Sequence, residues 1–150
     1  MKDSVVLFAL DHADPKMLEI LRDHPCIPVS PFGRRLKKPN KLVHPCGKLA
    51  PLYSDSDERF PCGSKDTYIR EDRLQILKIL GMKCDVLSWQ ELVERAESVS
   101  KIKEFDAAVE RSIVILSVLN DMLNAEQASA ENSMAIPFLE DQEAKSKVNE

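Results

Sequence analysis

The chain has 150 residues and a net charge of -4, and 43% of its residues are apolar while only 5% are aromatic. This length predicts one domain with enough apolar residues for a core, and the negative net charge argues against a dedicated nucleic-acid binder. No apolar run approaches the length of a membrane span, and the N-terminal MKDSVVLFALDHAD places an acid where a signal peptide has basic flanks. Four cysteines without a secretory signal indicate reduced thiols and a cytoplasmic location.

The first elements are short. Residues 5–10 form an apolar run that periodicity alone leaves open between helix and strand. Asp14 followed by Pro15 predicts a helix start, because aspartate caps free backbone N–H groups and proline is tolerated at the first helical position. Pro25 requires this helix to end by about Asp23. Three apolar side chains would share one of its faces: Met17, Leu18 and Leu21.

Residues 24–61, which we call the arm, carry seven of the nine prolines. Proline fixes its own φ and removes a hydrogen-bond donor, so no long helix fits there. Apolar residues nevertheless recur along the arm, which is not typical of a disordered linker. We therefore expect an extended arm laid over a helical body, with room for short edge strands at Ile27–Val29 and residues 41–44. A single helical turn would fit within residues 54–60.

Helical periodicity begins near Tyr68. Residues 70–80 predict a helix, with Gly81 placed where a C-terminal glycine belongs, and its apolar side would comprise Leu74, Leu77, Ile79 and Leu80. Ser88 and Glu91 then match a capping box, in which the two side chains satisfy each other's free backbone N–H groups. One apolar stripe of the following helix would face the core: Trp89, Leu92, Val93, Ala96 and Val99.

A third helix is predicted from about residue 104 to residue 123. Residues 113–119 are apolar on nearly all sides, so we expect this helix to be the most buried. Beyond Asn124 acids outnumber lysines and no long apolar face continues, so residues 124–150 predict a largely disordered tail. The predicted fold class is mainly α: a small helical bundle in residues 1–123, with the long proline-rich irregular arm and a disordered acidic C-terminal tail.

Two His-Pro-Cys triplets invite a zinc site formed by His24, Cys26, His44 and Cys46. Zinc ligands usually come in pairs two to four residues apart with a sharp turn between them, whereas the intervening proline favours an extended chain. The plainer interpretation is that the cysteines pack as small hydrophobes. A small zinc- or thiol-dependent enzyme or metal-binding module stays open as the alternative function.

A basic cluster without any acid lies in the arm: Arg34, Arg35, Lys37, Lys38, Lys41 and Lys48. It could bind phosphate or an acidic partner, or it could be solvated while its aliphatic stems cover apolar surface. Only Phe32 offers a stacking ring there, which disfavours nucleic acid. We take Arg34, Arg35, Lys37 and Lys38 as candidate partner-binding residues, with an acidic protein partner or the chain's own acidic tail as the preferred ligand.

Three phrases of the sequence resemble the sacsin family: CIPVSPFGRRLKKPNKLVHP, LYSDSDERFP and LQILKILGMKCDVLSWQELVERAESV. With its flanks, the resemblance covers about residues 5–123. Members are very large cytosolic proteins built from long repeats, each of which starts with a GHKL ATPase domain of the heat-shock chaperone type. The resemblance implies an internal repeat segment in a co-chaperone setting, with roles in protein quality control and in intermediate-filament and mitochondrial organisation.

The resemblance does not imply that this segment is an enzyme. No position matches the acidic residue or the glycine-containing box of the family's nucleotide site, and four glycines could not build a phosphate-binding loop. We therefore expect no catalytic residues, no cofactor and no metal. The expected function is a scaffold or protein-interaction segment, a fragment or short isoform of a sacsin-like co-chaperone. Its partners would be chaperone machinery or neighbouring domains of a larger parent protein, with no nucleic acid and no membrane insertion.

Overall fold

The computed structural model describes residues 2–64 and 66–149, with side chains described as far as residue 130. The chain forms two compact units, residues 1–115 and 116–150. The fold is mainly helical, as predicted. In chain order its helices and strands are α1 (Asp3–His12), α2 (Pro15–Asp23), β1 (Ile27–Val29), β2 (Arg35–Lys37), α3 (Glu71–Ile79), α4 (Trp89–Ser98) and α5 (Phe105–Asn149). Within the described residues, no helix is both long enough and apolar enough to cross a bilayer.

The N-terminal helices follow the local signals closely. The ambiguous run at residues 5–10 lies inside helix α1. The Asp14 carboxylate caps α2 by accepting a hydrogen bond from the Met17 N–H at 3.3 Å, and Pro15 is the first helical residue. Of the predicted apolar face, Leu21 is buried and Met17 packs against the core beside it.

The arm is docked on the helices, as predicted. Its buried side chains share one core with α1, α2 and α3, and the arm residues in that core are Cys26, Ile27, Val29 and Leu42. The predicted turn within residues 54–60 is also present, as a 3-10 helix at Asp55–Asp57. The Ser54 N–H donates a hydrogen bond to the Asp57 carboxylate at 2.7 Å, which closes this turn.

The strand assignment was only half correct. Ile27–Val29 forms β1, but residues 41–44 do not form a strand, and Val43 makes a single isolated bridge with Lys83. The antiparallel partner of β1 is the basic segment Arg35–Lys37 instead, with Val29 opposite Arg35. Gly33, at a φ of +70°, lies in the turn that brings β2 back onto β1. A left-handed residue of this kind favours glycine.

Helix α3 ends as predicted, with Gly81 at a φ of +120°. Leu74, Leu77 and Leu80 are buried, but Ile79 is 67% exposed. Ile79 follows Leu77 by two residues, which places it about 200° around the helix, on the opposite side. Assigning Ile79 to the buried face was therefore wrong.

Helix α4 starts at Trp89 after Ser88, as predicted, but a different face is packed. Leu92 is buried, whereas Trp89 and Val93 are 40% and 53% exposed. Ala96 is exposed as well, while Glu91 and Arg95 are partly buried. The helix is rotated relative to the prediction because two charged side chains, rather than the whole apolar stripe, turn towards the protein.

Helix α5 is not the most buried helix, contrary to the prediction. Phe105 is 78% exposed and Ile113 is 61% exposed. A helix that is apolar all round still has one side away from the core. The helix is assigned as far as Asn149, beyond the end predicted near residue 123. The predicted disordered tail falls largely on residues whose side chains lie outside those described, and disorder there stays a prediction.

Candidate protein-interaction surface

The four candidate partner-binding residues lie together on the outer strand of the β-hairpin. Arg35 and Lys37 belong to β2, and Arg34 and Lys38 flank it. Arg34, Arg35 and Lys38 are exposed and Lys37 is half-buried. We call residues 32–38 the basic edge. The sequence contained a hairpin signal here, since the two strands are joined by a short loop containing proline and glycine.

Phe32 gives the basic edge an apolar element. Its ring is 76% exposed, and the guanidinium carbon of Arg34 lies 5.4 Å from the ring centre. This distance is within the range of a cation–π contact. A groove of about 350 Å³ adjoins the ring, and its lining includes Ser30, Pro31, Arg34 and Ser56. The surface therefore combines positive charge with an exposed aromatic ring.

Arg35 has a nearby acid within the chain. Its Nε lies 3.4 Å from a carboxylate oxygen of Glu58, and the Arg35 side chain is 71% exposed. An ion pair this exposed contributes little to stability, about 0–1 kcal/mol. A partner carboxylate could therefore replace Glu58 at small cost.

The inner side of the hairpin is held by backbone hydrogen bonds. The Ser30 N–H donates to the Phe60 carbonyl, and the Cys62 N–H donates to the Pro28 carbonyl, each at 2.9 Å. The Ser30 hydroxyl also donates to the Asp55 carbonyl at 3.0 Å. Strand β1 is consequently flanked on both sides, by β2 and by the chain around Pro61.

A second polar cluster, which was not predicted from the sequence, surrounds Tyr53. The guanidinium carbons of Arg59 and Arg95 lie 5.0 and 4.6 Å from the centre of its ring. Its hydroxyl donates to Glu91 at 3.4 Å. Burial is the main cause that raises the Tyr53 pKa above its ordinary value of 10.0. No local signal in the sequence connects these residues, because Tyr53 and Arg59 belong to the arm whereas Glu91 and Arg95 belong to α4.

Glu91 is the acid at the centre of this cluster. Its side chain accepts a hydrogen bond from Lys83, and Arg59 lies 3.6 Å from its other oxygen. Burial acts to raise the Glu91 pKa, but Lys83 and Arg59 outweigh it and the pKa is lowered. Only half of the predicted capping box is present. The Glu91 N–H donates to the Ser88 hydroxyl at 3.1 Å, while the Glu91 carboxylate is used in the cluster.

The residues of the alternative zinc site are placed in different surroundings. Cys26 is buried, and burial raises the pKa of its thiol. The Cys46 N–H donates to His44 Nδ1 at 3.0 Å, which occupies that ring nitrogen. His24 Nδ1 lies 2.7 Å from the Ile20 carbonyl. Among the residues whose side chains are described, no three His, Cys, Asp or Glu are grouped to hold a metal ion.

Comparison with known proteins gives one match. No family model matches the chain, and no solved structure matches it. Human sacsin is 35% identical over 148 residues, an alignment that covers 93% of this chain. The chain is related to a segment of sacsin. This confirms the resemblance predicted from the sequence, and the sacsin-related chain spans 3% of the length of the human protein.

Proposed function

We propose that this sacsin-related chain is a non-catalytic protein-interaction segment of a co-chaperone, acting in protein quality control in the cytoplasm. The observation that carries the proposal is the similarity to sacsin across 93% of the chain. Its partners would be chaperone machinery or neighbouring domains of a larger parent protein. The mainly helical fold and the relation to a segment of sacsin do not depend on this proposal.

The exposed surface supports binding rather than chemistry. Several large apolar side chains are accessible in the described part of the chain, among them Phe8, Phe32, Val86 and Phe105. The basic edge offers charge beside one of them. Asp11 and Glu91, two acids whose pKa values are lowered, are held ionised by neighbouring cations. A carboxylate with a lowered pKa is a poor general base.

A chaperone-dependent refolding assay tests this function. Chemically denatured luciferase would be refolded by an Hsp70 system with and without the chain, and also by the chain alone. We expect the chain to change the refolded yield only when the chaperones are present. Serum albumin at the same mass concentration controls for crowding and surface coating. An unchanged yield in molar excess of the chain would contradict the proposal.

Two further measurements distinguish a non-catalytic segment from an enzyme. For a non-catalytic segment, calorimetry with ATP and magnesium would detect no saturable binding, and a phosphate-release assay would detect no hydrolysis. Saturable one-to-one binding or steady phosphate release by the chain alone would contradict the non-catalytic role. Metal analysis of the purified chain addresses the zinc alternative, because stoichiometric zinc would restore it.

A further inference from the structure

The outer side of β2 is an unpaired sheet edge in the part of the chain that the structure describes. The sheet there has two strands, β1 and β2, and β1 has neighbours on both sides. Leu36, in the middle of β2, is 44% exposed. An exposed strand edge presents backbone N–H and C=O groups to any extended chain that can approach it.

The register shows which backbone groups face outwards. Pro28 lies opposite Leu36 and has no N–H, so these two residues cannot exchange a pair of hydrogen bonds. The hydrogen-bonded pairs must then be Ile27 with Lys37 and Val29 with Arg35. The Pro28 carbonyl indeed points the other way, accepting from the Cys62 N–H at 2.9 Å. The N–H and C=O of Leu36 therefore point away from β1, to the free side of the hairpin.

The charges on the edge select what can pair with it. Arg34, Arg35, Lys37 and Lys38 surround the outward backbone groups of Leu36, and Glu58 is the acid paired with Arg35. Such charges disfavour edge-to-edge pairing of two copies of this chain, since two basic edges repel each other. The same charges favour an acidic strand, because opposite charges on adjacent strands stabilise the pair.

We propose that the outer edge of β2 accepts an extended acidic segment of a partner protein as a third strand. This inference rests on the proposed function and names its partner class. The Leu36 N–H and C=O supply the central backbone hydrogen bonds. Glutamate or aspartate side chains on one face of the partner strand pair with Arg34 and Lys38, which share a face because strand side chains alternate. An apolar side chain of the partner lies against Phe32 beside the groove. This is strand addition, in which backbone bonds provide affinity and side chains provide selectivity.

The test uses the whole chain and a fluorescent peptide of about eight residues, the length of an ordinary strand, that alternates glutamate with valine. Binding is measured by fluorescence anisotropy, with amide NMR shifts to locate it. The matched control peptide alternates lysine with valine. A second control keeps the glutamates but carries N-methyl groups on alternate backbone amides, which removes strand pairing without changing the charge.

Two variants of one residue separate the backbone from the side chain. Leu36→Pro removes the outward N–H while leaving the hydrogen-bonded pairs of the hairpin in place, and Leu36→Ala keeps that N–H. We expect Leu36→Pro to weaken binding of the glutamate peptide about tenfold, the value of one backbone hydrogen bond, and Leu36→Ala to weaken it much less. Thermal melts show whether each variant is folded. If Leu36→Pro unfolds the chain, the N-methylated peptide makes the same comparison on the unaltered protein.

Several outcomes would overturn the inference. They are equal binding of the lysine peptide, full binding of the N-methylated peptide, and tighter binding of a single-stranded oligonucleotide than of the glutamate peptide. Binding that appears only after Glu140→Gln, Asp141→Asn and Glu143→Gln would instead identify the chain's own acidic tail as the occupant. The refolding assay is independent of these results. If the chain changes the refolded yield but does not bind the peptide, the proposed function is supported and strand addition is contradicted. If the chain binds the peptide but leaves the refolded yield unchanged, the proposed function is contradicted.

Discussion

The guanidinium carbon of Arg95 lies 4.6 Å from the centre of the Tyr53 ring. Tyr53 belongs to the proline-rich arm and Arg95 to helix α4, so this contact joins two segments that are distant in sequence. The same helix contributes Glu91, which accepts hydrogen bonds from Tyr53 and Lys83. These contacts explain why α4 turns its charged side towards the arm and leaves Trp89 exposed.

Glu91 can be tested against its predicted capping role. Glutamine serves as well as glutamate in a capping box, so Glu91→Gln would be nearly neutral if capping were its role. In the structure its charge is used by Lys83 and Arg59. We expect Glu91→Gln to lower the free energy of unfolding by about 1.5–3 kcal/mol, the range for hydrogen bonds to charged groups. Urea denaturation provides the measurement.

The matched control for that variant is Ser88→Ala. Its hydroxyl accepts the Glu91 N–H at 3.1 Å, and loss of such a cap costs about 1 kcal/mol. A neutral Glu91→Gln beside a destabilising Ser88→Ala would show that the ion pairs contribute little and that capping alone stabilises this helix start.

The packed face of α4 predicts which of two truncations, Leu92→Ala or Trp89→Ala, destabilises the protein more. Leu92 is 4% exposed, whereas Trp89 is 40% exposed. Leu92→Ala should cost about 2–5 kcal/mol because it leaves a cavity, and Trp89→Ala should cost less despite removing a larger side chain. Thermal melts of the two variants make the comparison. A larger loss for Trp89→Ala would restore the apolar stripe that the sequence suggested.

The pair formed by Asp11 and Arg73 predicts a pH dependence. Each Asp11 carboxylate oxygen lies 2.8 Å from a nitrogen of Arg73, and this hydrogen bonding is the first cause that lowers the Asp11 pKa below its ordinary 3.8. The stabilisation is therefore complete above about that pH and is lost as the pH falls through the lower pKa of the folded state.

Denaturation at a series of pH values between neutrality and strong acid tests this dependence. Asp11→Asn should be less stable than the wild type at neutral pH, and the difference should shrink in acid. Asp72→Asn is the control, because Asp72 also pairs with an arginine but its side chain is 61% exposed. A constant difference between wild type and Asp11→Asn at every pH would contradict the prediction.

Limited proteolysis with chymotrypsin distinguishes the packed and free parts of the arm. Phe32 is 76% exposed at the turn between β1 and β2, whereas Tyr53 is 5% exposed. Within the arm we expect early cleavage after Phe32 and none after Tyr53 until the protein unfolds. Phe32→Ser should abolish the early cut in the arm. Cleavage after Tyr53 as early as after Phe32 would show that the arm is not docked.

The helix starts and ends were predicted correctly where the interacting residues are close in sequence. Asp14 and Pro15 start α2, Ser88 starts α4, and Gly81 follows α3. These signals depend on backbone groups three or four residues away, so they survive whatever the rest of the chain does. The docking of the arm was also predictable, because an apolar residue every few positions has to be buried somewhere.

The wrong predictions concern which side of a helix is buried against the rest of the protein. Trp89, Ile79 and Ile113 were all expected to be buried and are exposed. Apolar periodicity shows that a helix has an apolar side, but it does not show whether other elements supply enough surface to cover it. The basic segment at residues 35–37 was not recognised as a strand, because its pairing with β1 depends on a turn and a register rather than on its own composition.

The sequence by itself determined the helical class, the main helix starts, the relation to a sacsin segment and the position of the basic residues in the arm. Only the tertiary structure decided that those residues form a free sheet edge and that Glu91 joins Lys83 and Arg59. Both outcomes arise from contacts between distant segments. The register of a hairpin and the rotation of a helix are set by the neighbours that pack against them, and those neighbours are specified elsewhere in the chain.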